Sequence, residues 1–463
     1  MVVKANFSTS KGESEKNWAQ VLAVFISGLA GISNGLLFSW PSPYLVKITQ
    51  DKVNYDITEE AGSYFNIIHP LSLICACPFF AKLIDIIGRK RTMLLIVIPQ
   101  IASWLLSGFA KSVYVFYAAR VCAGLADGCI FAVLPAYIGE VANPSVRGKW
   151  GNIIPTSMYL GEFLITIIGS YFDVKTASFI CLPLPILFLI LFSLMPESPY
   201  YYIIKGREEN AKQSLRFLKR INNIDDIYQQ LKCDVERQIA ESGTWCDLFK
   251  IKSNRKALVA GLFLRFTQQL SGFSVFLTFT QLIFQKSGGN ISHETSSIVY
   301  LGFCIALNLI AMIFIVPRFN RLTCFVSSTA LCGITMLILA IYLYVDECLH
   351  VDVSSFNWIP LTMMVLYQIF ASYGIAVIPT LMLSELYSAS VKSKAMTLLS
   401  MSFGAGIFIA SSLFYQLNIN FGFYSPFFFF FACCGVSTAA SYYIIPETRG
   451  KTLEEIQVML KAI

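Results

Sequence analysis

Two neighbouring amide side chains in an otherwise apolar stretch could bind a polar ligand. Gln268 and Gln269 lie within the mostly apolar residues 257–284, directly before Ser271 and Gly272. A carboxamide both donates and accepts hydrogen bonds, which suits the hydroxyl groups of a polyhydroxylated solute. Buried amides also hold membrane helices together, so both interpretations of this pair stay open.

Charged residues recur at matched positions in the two halves of the chain. Glu140 precedes Arg147 by seven residues, and Glu385 precedes Lys392 by the same interval, 245 residues later. A Pro-Glu motif at positions 196 and 197 returns at 446 and 447, an offset of 250 residues. These offsets predict an internal duplication, as many membrane transporters carry around a binding site near the middle of the bilayer.

No group of residues in the sequence is suited to breaking a covalent bond. The chain has three histidines, which lie far apart, and it has no phosphate-binding glycine loop. Its 13 cysteines are an odd number and lie mostly inside apolar runs, which indicates reduced thiols and not disulfides or metal ligands. The sequence therefore predicts no enzyme, no cofactor and no metal site.

The composition places the chain in a membrane. Hydrophobic residues occupy 56% of the 463 positions, charged residues 14%, and the mean hydropathy is +0.62. Soluble domains carry about 25% charged residues. The 35 basic and 28 acidic residues give a net charge of +7, and outside the polar stretch 205–256 the basic residues lie mostly in short loops. The lipid bilayer is therefore the predicted partner, and nucleic acid is not.

Twelve apolar runs of spanning length follow one another along the chain. They cover residues 18–39, 64–87, 93–109, 113–138, 153–172, 177–194, 257–284, 298–316, 323–345, 356–383, 395–417 and 421–445. Each is predicted to be a helix, because an open strand edge is costly in hydrocarbon. The result is an all-α membrane protein with six-helix halves at 18–195 and 257–445, a charged helical linker at 196–256, and tails at 1–17 and 446–463.

The loops predict how the chain is oriented. Basic residues follow the second, fourth, eighth and tenth helices, whereas the alternate loops hold no arginine and carry acids such as Asp51 and Glu347. The positive-inside rule then places both termini and the linker on the cytoplasmic side of the membrane. The protein is expected to be a multi-pass protein of the plasma membrane. The sequon at Asn290 falls in an outside loop, where glycosylation can occur.

Six motifs in a fixed order extend this interpretation. They are Asp85-Ile-Ile-Gly-Arg-Lys90, Arg120 with Gly124 and Gly128, Pro135-Ala-Tyr-Ile-Gly-Glu140 with Arg147-Gly148, Pro196-Glu-Ser-Pro199, Gln268-Gln-Leu-Ser-Gly272 and Pro446-Glu-Thr-Arg-Gly-Lys-Thr-Leu-Glu-Glu-Ile456. The set resembles the sugar porter family of the major facilitator superfamily, particularly its facilitated trehalose transporter-like branch. The resemblance implies a carrier that moves a sugar, a hexose or a disaccharide such as trehalose, by facilitated alternating access. The carrier is expected to be a monomer.

The resemblance also implies a cytoplasmic gate made of charged residues, in which acids of one half pair with bases of the other. Ordinary positive-inside topology explains the bases of this set but not the acids at matched positions in both halves. The gate residues are Asp85, Arg89, Glu140, Arg147, Glu197, Arg318, Arg321, Glu385, Lys392 and Glu447.

By the same resemblance, five polar residues are expected to bind the substrate: Gln268, Gln269, Ser274, Asn308 and Thr380. The last three stand at or near positions where the family has other residues, and the tenth-helix tryptophan of the family is replaced. These departures leave open which sugar or polyol is carried.

Two acids inside predicted helices favour an alternative function. Ionised groups within a membrane are costly and usually serve a purpose, so Asp127 or Glu162 could make the chain a proton-coupled symporter. Pairing of Asp127 with Arg120 on the same helix, or with Arg265 from the other half, is the structural explanation of this acid. A sugar sensor that binds without transporting is a further alternative.

Overall fold

In a computed structural model the chain folds into helices joined by short connections. The structure describes residues 17–462, except 152, 222, 241–242, 289–290, 312–313, 315–317, 388–389, 450 and 452. The predicted glycosylation site Asn290 lies outside the described residues.

The helices follow the order that the apolar runs predicted. The first half contains α1 (Trp18–Phe38), α2 (Pro41–Gln50), α3 (Glu59–Ser63), α4 (Phe65–Ile87), α5 (Arg89–Leu95), α6 (Val97–Phe109), α7 (Val113–Val141), α8 (Pro144–Trp150), α9 (Ile153–Tyr171), α10 (Val174–Cys181) and α11 (Pro183–Ser193). The linker contains α12 (Pro199–Ile204), α13 (Glu208–Lys219), α14 (Asp225–Ala240) and α15 (Trp245–Lys250). The second half contains α16 (Lys252–Leu270), α17 (Phe273–Thr278), α18 (Thr280–Ser287), α19 (His293–Ile310), α20 (Arg321–Glu347), α21 (Ile359–Tyr373), α22 (Ile378–Leu386), α23 (Lys392–Phe421), α24 (Ser425–Ile444) and α25 (Leu453–Ala462).

Eleven helical stretches within the described residues are long and apolar enough to cross a membrane, from Trp18–Gln50 to Ser425–Ile444. The other predicted span, the seventh, consists of α16, α17 and α18. It is interrupted at Gly272, whose φ is 88°, and it carries Arg265 and Gln268. Its polar content lowers its hydropathy, which separates it from the other spans and indicates a special role.

Three of the spans are interrupted at a proline or a glycine. The first span changes from α1 to α2 at Pro41, and the seventh changes from α16 to α17 at Gly272. The tenth span stops at Gly374 and resumes as α22, which has Pro379 in its first turn. Because a break frees backbone groups that hydrocarbon cannot satisfy, each one needs a polar partner nearby.

Glycines allow pairs of helices in the first half to pack closely. An added Cβ at Gly35 of α1 would overlap Met158 O of α9, and one at Gly161 of α9 would overlap Ile32 O. Gly124 and Gly128, one turn apart on α7, pack in the same way against α4. Small residues at this spacing drive helix association in membranes, where burial of apolar surface supplies little force.

The two halves pack against each other along α4 and α23 and along α9 and α19. They are also joined by hydrogen bonds at the end of the bundle that lies away from the linker, called here the far side. Gln281 of α18 donates its backbone N–H to Ser42 Oγ at 3.4 Å and its amide to Ser170 Oγ at 3.4 Å. Lys286 Nζ lies 3.6 Å from a carboxylate oxygen of Glu59 in the first half. These contacts close the far side in this conformation.

Substitution of Gly35 by alanine should destabilise the protein, because the new methyl group would meet the backbone of α9. Overpacking of this kind costs about 1–3 kcal/mol, so the apparent melting temperature in detergent should fall. Gly435→Ala is the matched control, because no atom lies within 4 Å of its added Cβ. Equal melting temperatures for the two variants would contradict the close packing of α1 and α9.

Candidate functional site

The glutamine pair lies in the last turn of α16, immediately before the break at Gly272. Both side chains are buried, with exposures of 2% for Gln268 and 0% for Gln269. The break at Gly272 ends the helix directly after these amides, so the pair lies at a chain interruption within the second half.

The amide of Gln268 binds the break in the tenth span. Its Nε2 donates to Ile375 O at 2.9 Å and to Ala376 O at 3.3 Å, in the segment between α21 and α22. Its Oε1 accepts from Arg265 Nη1 at 3.0 Å. Gln268 therefore joins two helices in this conformation, which is the structural alternative that the sequence left open.

Gln269 has more capacity for a ligand. Its Oε1 accepts from the hydroxyl of Ser274, whereas its Nε2 is buried and has no hydrogen-bond partner in the described part of the chain. A buried donor without a partner costs about 1–3 kcal/mol, so a hydroxyl oxygen that accepts from it would be stabilised there. Ser274 is thereby placed beside Gln269, as the predicted site requires.

The other two predicted site residues differ in their surroundings. Thr380 Oγ1 accepts from Arg265 Nη1 at 3.2 Å, so Thr380 is joined to Gln268 through this guanidinium. Asn308 of α19 donates to Cys304 O of its own helix at 2.7 Å. Within the described residues no hydrogen bond joins Asn308 to the glutamine pair. Arg265 was missed as a member of this group, although its position three residues before Gln268 places both on one helix face.

The first half contains a separate group of buried charges. His69 Nε2 of α4 lies 2.9 Å from Asp127 Oδ2 of α7. Arg120 instead donates to backbone oxygens, to Phe65 O at 3.0 Å and to Leu37 O at 2.6 Å. The direct partner of Asp127 is thus His69, and the expected pair with Arg120 is not a direct contact. Because Arg120 is two turns away on the same helix, its side chain reaches the ends of α1 and α4 instead.

Glu162 of α9 is also buried, and its Oε2 has no hydrogen-bond partner among the described residues. It interacts electrostatically with Tyr159 of its own helix and with Tyr300 and Cys304 of α19. This acid therefore lies where the fifth and eighth spans, one from each half, face each other.

On the linker side of the first half, charged residues form a connected cluster. Arg89 Nε lies 2.9 Å from Glu140 Oε2, and Arg89 Nη1 lies 3.5 Å from Asp85 Oδ1. Glu197 Oε1 accepts from the backbone N–H groups of Arg89 at 2.9 Å and Lys90 at 2.8 Å. An acid at the first N–H groups of α5 satisfies donors that a helix start leaves open.

The second half repeats this cluster. Arg321 Nη2 lies 3.3 Å from Glu385 Oε1. Glu447 accepts from the backbone N–H groups of Arg321 at 3.1 Å and Leu322 at 3.0 Å, at the start of α20. Thr448 donates to Glu385, as Ser198 donates to Glu140 in the first cluster. The duplication inferred from sequence offsets is therefore also present in the contacts.

The expectation that acids of one half pair with bases of the other is wrong for these two clusters. Arg89 pairs with Glu140 inside the first half, and Arg321 pairs with Glu385 inside the second. The reason is that α5 packs beside α7, so the start of one helix meets the end of the other within the same half.

The remaining gate residues lie elsewhere. Arg147 Nη1 donates to Gly139 O at 3.0 Å, and Arg147 repels Lys392 of the other half electrostatically. Arg318 is exposed, and its guanidinium lies 6.0 Å from the ring of Phe314. The role of these residues as a gate stays a prediction.

The chain is similar to known proteins in both sequence and fold. The profile of the "Sugar (and other) transporter" family matches residues 21–460. The facilitated trehalose transporter Tret1 of Drosophila erecta is 32% identical over 448 residues, which cover 95% of this chain and 52% of that protein. The proteins of the same name from Polypedilum vanderplanki and Apis mellifera ligustica are each 30% identical, with 88% and 91% of their lengths covered. The chain thus spans about half the length of the first relative and most of the other two.

Solved structures show the same fold. The proton:xylose symporter XylE bound to 6-bromo-6-deoxy-D-glucose has a TM-score of 0.76 and 17% identity, and the match covers 96% of this chain and all of that one. A partially occluded inward-open form of XylE from E. coli has a TM-score of 0.77 and 16% identity. With its two six-helix halves and the matching sequence profile, the chain belongs to the sugar transporter family.

Proposed function

We propose that the chain is a facilitative transporter that moves a sugar, a hexose or a disaccharide such as trehalose, across the plasma membrane by alternating access. The observation that carries the proposal is the unpartnered, buried Nε2 of Gln269 at the break in the seventh span. Such a donor can bind a hydroxyl oxygen of a ligand without first giving up a hydrogen bond within the protein. The relatives named as trehalose transporters support this class of substrate.

The proposed site uses the polar side chains around the break. Gln269 and Ser274 bind hydroxyl groups directly. Gln268 holds the tenth span beside them through its own amide, and Arg265 joins Gln268 to Thr380 of that span. Sugar hydroxyls both donate and accept, as these groups do. Asn308 is proposed to contact the substrate only after α19 moves towards the pair.

Alternating access requires that the two sides open in turn. The far side is held closed by the contacts of Gln281 and Lys286 with the first half. On the linker side, each charge cluster joins helices within one half. We assign the clusters to the gate because they keep each half a rigid body while the two halves separate.

The sidedness follows from the charges of the loops. The linker side, with Arg89, Arg147 and Arg321, is proposed to face the cytoplasm together with both termini. The domain boundaries predicted from the sequence are kept, with halves at 18–195 and 257–445 and a linker at 196–256. The chain is proposed to act as a monomer.

Uptake of labelled solutes tests the proposed site. Purified protein in liposomes should take up one of labelled glucose, fructose, trehalose or myo-inositol in a saturable manner. Gln269→Ala should lower uptake about tenfold or more, because it removes the free donor. Gln416→Ala, on the exposed face of α23, is the matched control and should leave uptake unchanged. Binding of a sugar without uptake would indicate a sensor instead, and neither binding nor uptake of any solute would contradict the proposal.

Removal of the acid from either charge cluster should impair transport. Glu140→Gln and Glu385→Gln should each reduce uptake strongly while the protein still reaches the membrane, because each removes the charged partner of an arginine. Asp234→Asn breaks an exposed pair with Arg237 on the linker and should have no effect. Surface expression and uptake would be measured together. Full activity in both glutamate variants would remove these residues from the gate.

A proton-coupled symporter is the second candidate, and the buried acids of the first half favour it. The contact of His69 with Asp127 and the unpartnered oxygen of Glu162 are groups that could hold a proton. Uptake by a facilitator should survive collapse of the pH gradient by a protonophore, with wild type and Glu162→Gln responding alike. If collapse abolishes accumulation in the wild type, and Glu162→Gln or Asp127→Asn no longer accumulates, the symporter is correct.

A further inference from the structure

Arg265 is a buried cation that forms no ion pair with an acid within the described residues. Its exposure is 8%, and its Nη1 donates to two neutral acceptors, Gln268 Oε1 at 3.0 Å and Thr380 Oγ1 at 3.2 Å. Its Nε is buried and has no partner in the described part of the chain. The titratable group that acts on it is the phenol of Tyr387, which carries no charge at neutral pH.

The acids of the first half do not compensate this charge. Asp127 lies beside His69 and acts electrostatically on Arg120, and Glu162 acts on the tyrosines around it. A guanidinium inside a membrane protein without a counter-ion is costly, and residues of this kind usually lie on the path of a substrate or ion. The chain therefore keeps a positive charge beside its proposed substrate site without neutralising it.

The guanidinium lies close to the boundary between the halves. It is 5.0 Å from the centre of the Phe403 ring on α23, and this ring lies 5.3 Å from Phe131 on α7 of the first half. The next residue, Gly404, packs against Leu73 and Ile74 of α4. A carrier exposes this boundary in turn to each side, so a solute that enters there meets Arg265.

We infer that the transported solute is a sugar acid, whose carboxylate binds Arg265 while its hydroxyls bind Gln269 and Ser274. This inference deepens the proposed function and rests on it. A guanidinium presents a planar fork that matches a carboxylate, and an ion pair formed in a dehydrated site is stronger than in water. The one charge of a carboxylate neutralises the one charge of Arg265, whereas a phosphate ester carries about 1.5–2 negative charges and would exceed it.

The test uses the full chain in liposomes with labelled D-glucuronate, D-glucose and D-glucose 6-phosphate. Wild type should take up glucuronate in preference to glucose, and Arg265→Gln should lower the ratio of glucuronate to glucose uptake about tenfold or more. Arg265→Lys should retain part of the preference because it keeps the charge. Arg237→Gln, on the exposed linker, should leave the ratio unchanged.

Binding is measured in parallel, because it does not depend on transport. Glucuronate should raise the apparent melting temperature of the purified wild type and of Arg265→Lys, but not that of Arg265→Gln. Folding of each variant is checked by size-exclusion chromatography and by its melting temperature without ligand. Binding of glucuronate without uptake would support the assignment of Arg265 while removing the transport function.

Other results would contradict the inference. Saturable glucose uptake that exceeds glucuronate uptake and is unchanged in Arg265→Gln would overturn the inference and leave the proposed function intact. A preference for glucose 6-phosphate would overturn the inference that the single charge of Arg265 selects a carboxylate over a phosphate ester. Neither uptake nor binding of glucuronate would overturn the inference, and failure of trehalose, fructose and myo-inositol together with glucose would also overturn its basis.

Discussion

Hydrogen bonding of backbone groups inside hydrocarbon is the constraint on which the centre of this molecule depends. The break between α21 and α22 leaves the oxygens of Ile375 and Ala376 outside a helix, and the amide of Gln268 satisfies both. The other end of this amide then accepts from Arg265. A break in one helix thus fixes the side chains of another, whereas the amide donor of the neighbouring Gln269 has no partner among the described residues.

The same kind of constraint acts at the linker side. The first N–H groups of α5 and of α20 have no partner in their own helices, and a glutamate from a Pro-Glu motif accepts from them in each half. The hydroxyl that follows this glutamate binds the second acid of the cluster. Each half is therefore fastened to the segment that follows its sixth helix, so that relative motion is directed to the boundary between the halves.

Much of this architecture could be predicted from the sequence, because apolar length and helix-breaking residues report burial and backbone breaks directly. Where the structure describes them, the predicted runs form helices, and Gly272 and Pro379 lie at breaks. The partners of charged residues could not be predicted, since Arg89 and Glu140 are 51 positions apart and Arg265 and Thr380 are 115 apart. Such contacts depend on how the helices pack, and the periodicity of a single helix carries no information about that packing.

The duplication is preserved at the linker side and lost at the centre. Both halves carry the same cluster of acid, arginine and hydroxyl, whereas the buried charges near the middle differ. The first half has acids with His69 and Arg120 near them, whereas Arg265 in the second half forms no ion pair with an acid among the described residues. Both halves can use the same charge cluster at their linker-side ends, since each half must move as a rigid body. A solute with different groups at its two ends, however, needs a site whose two walls differ, and the unequal charges supply that difference.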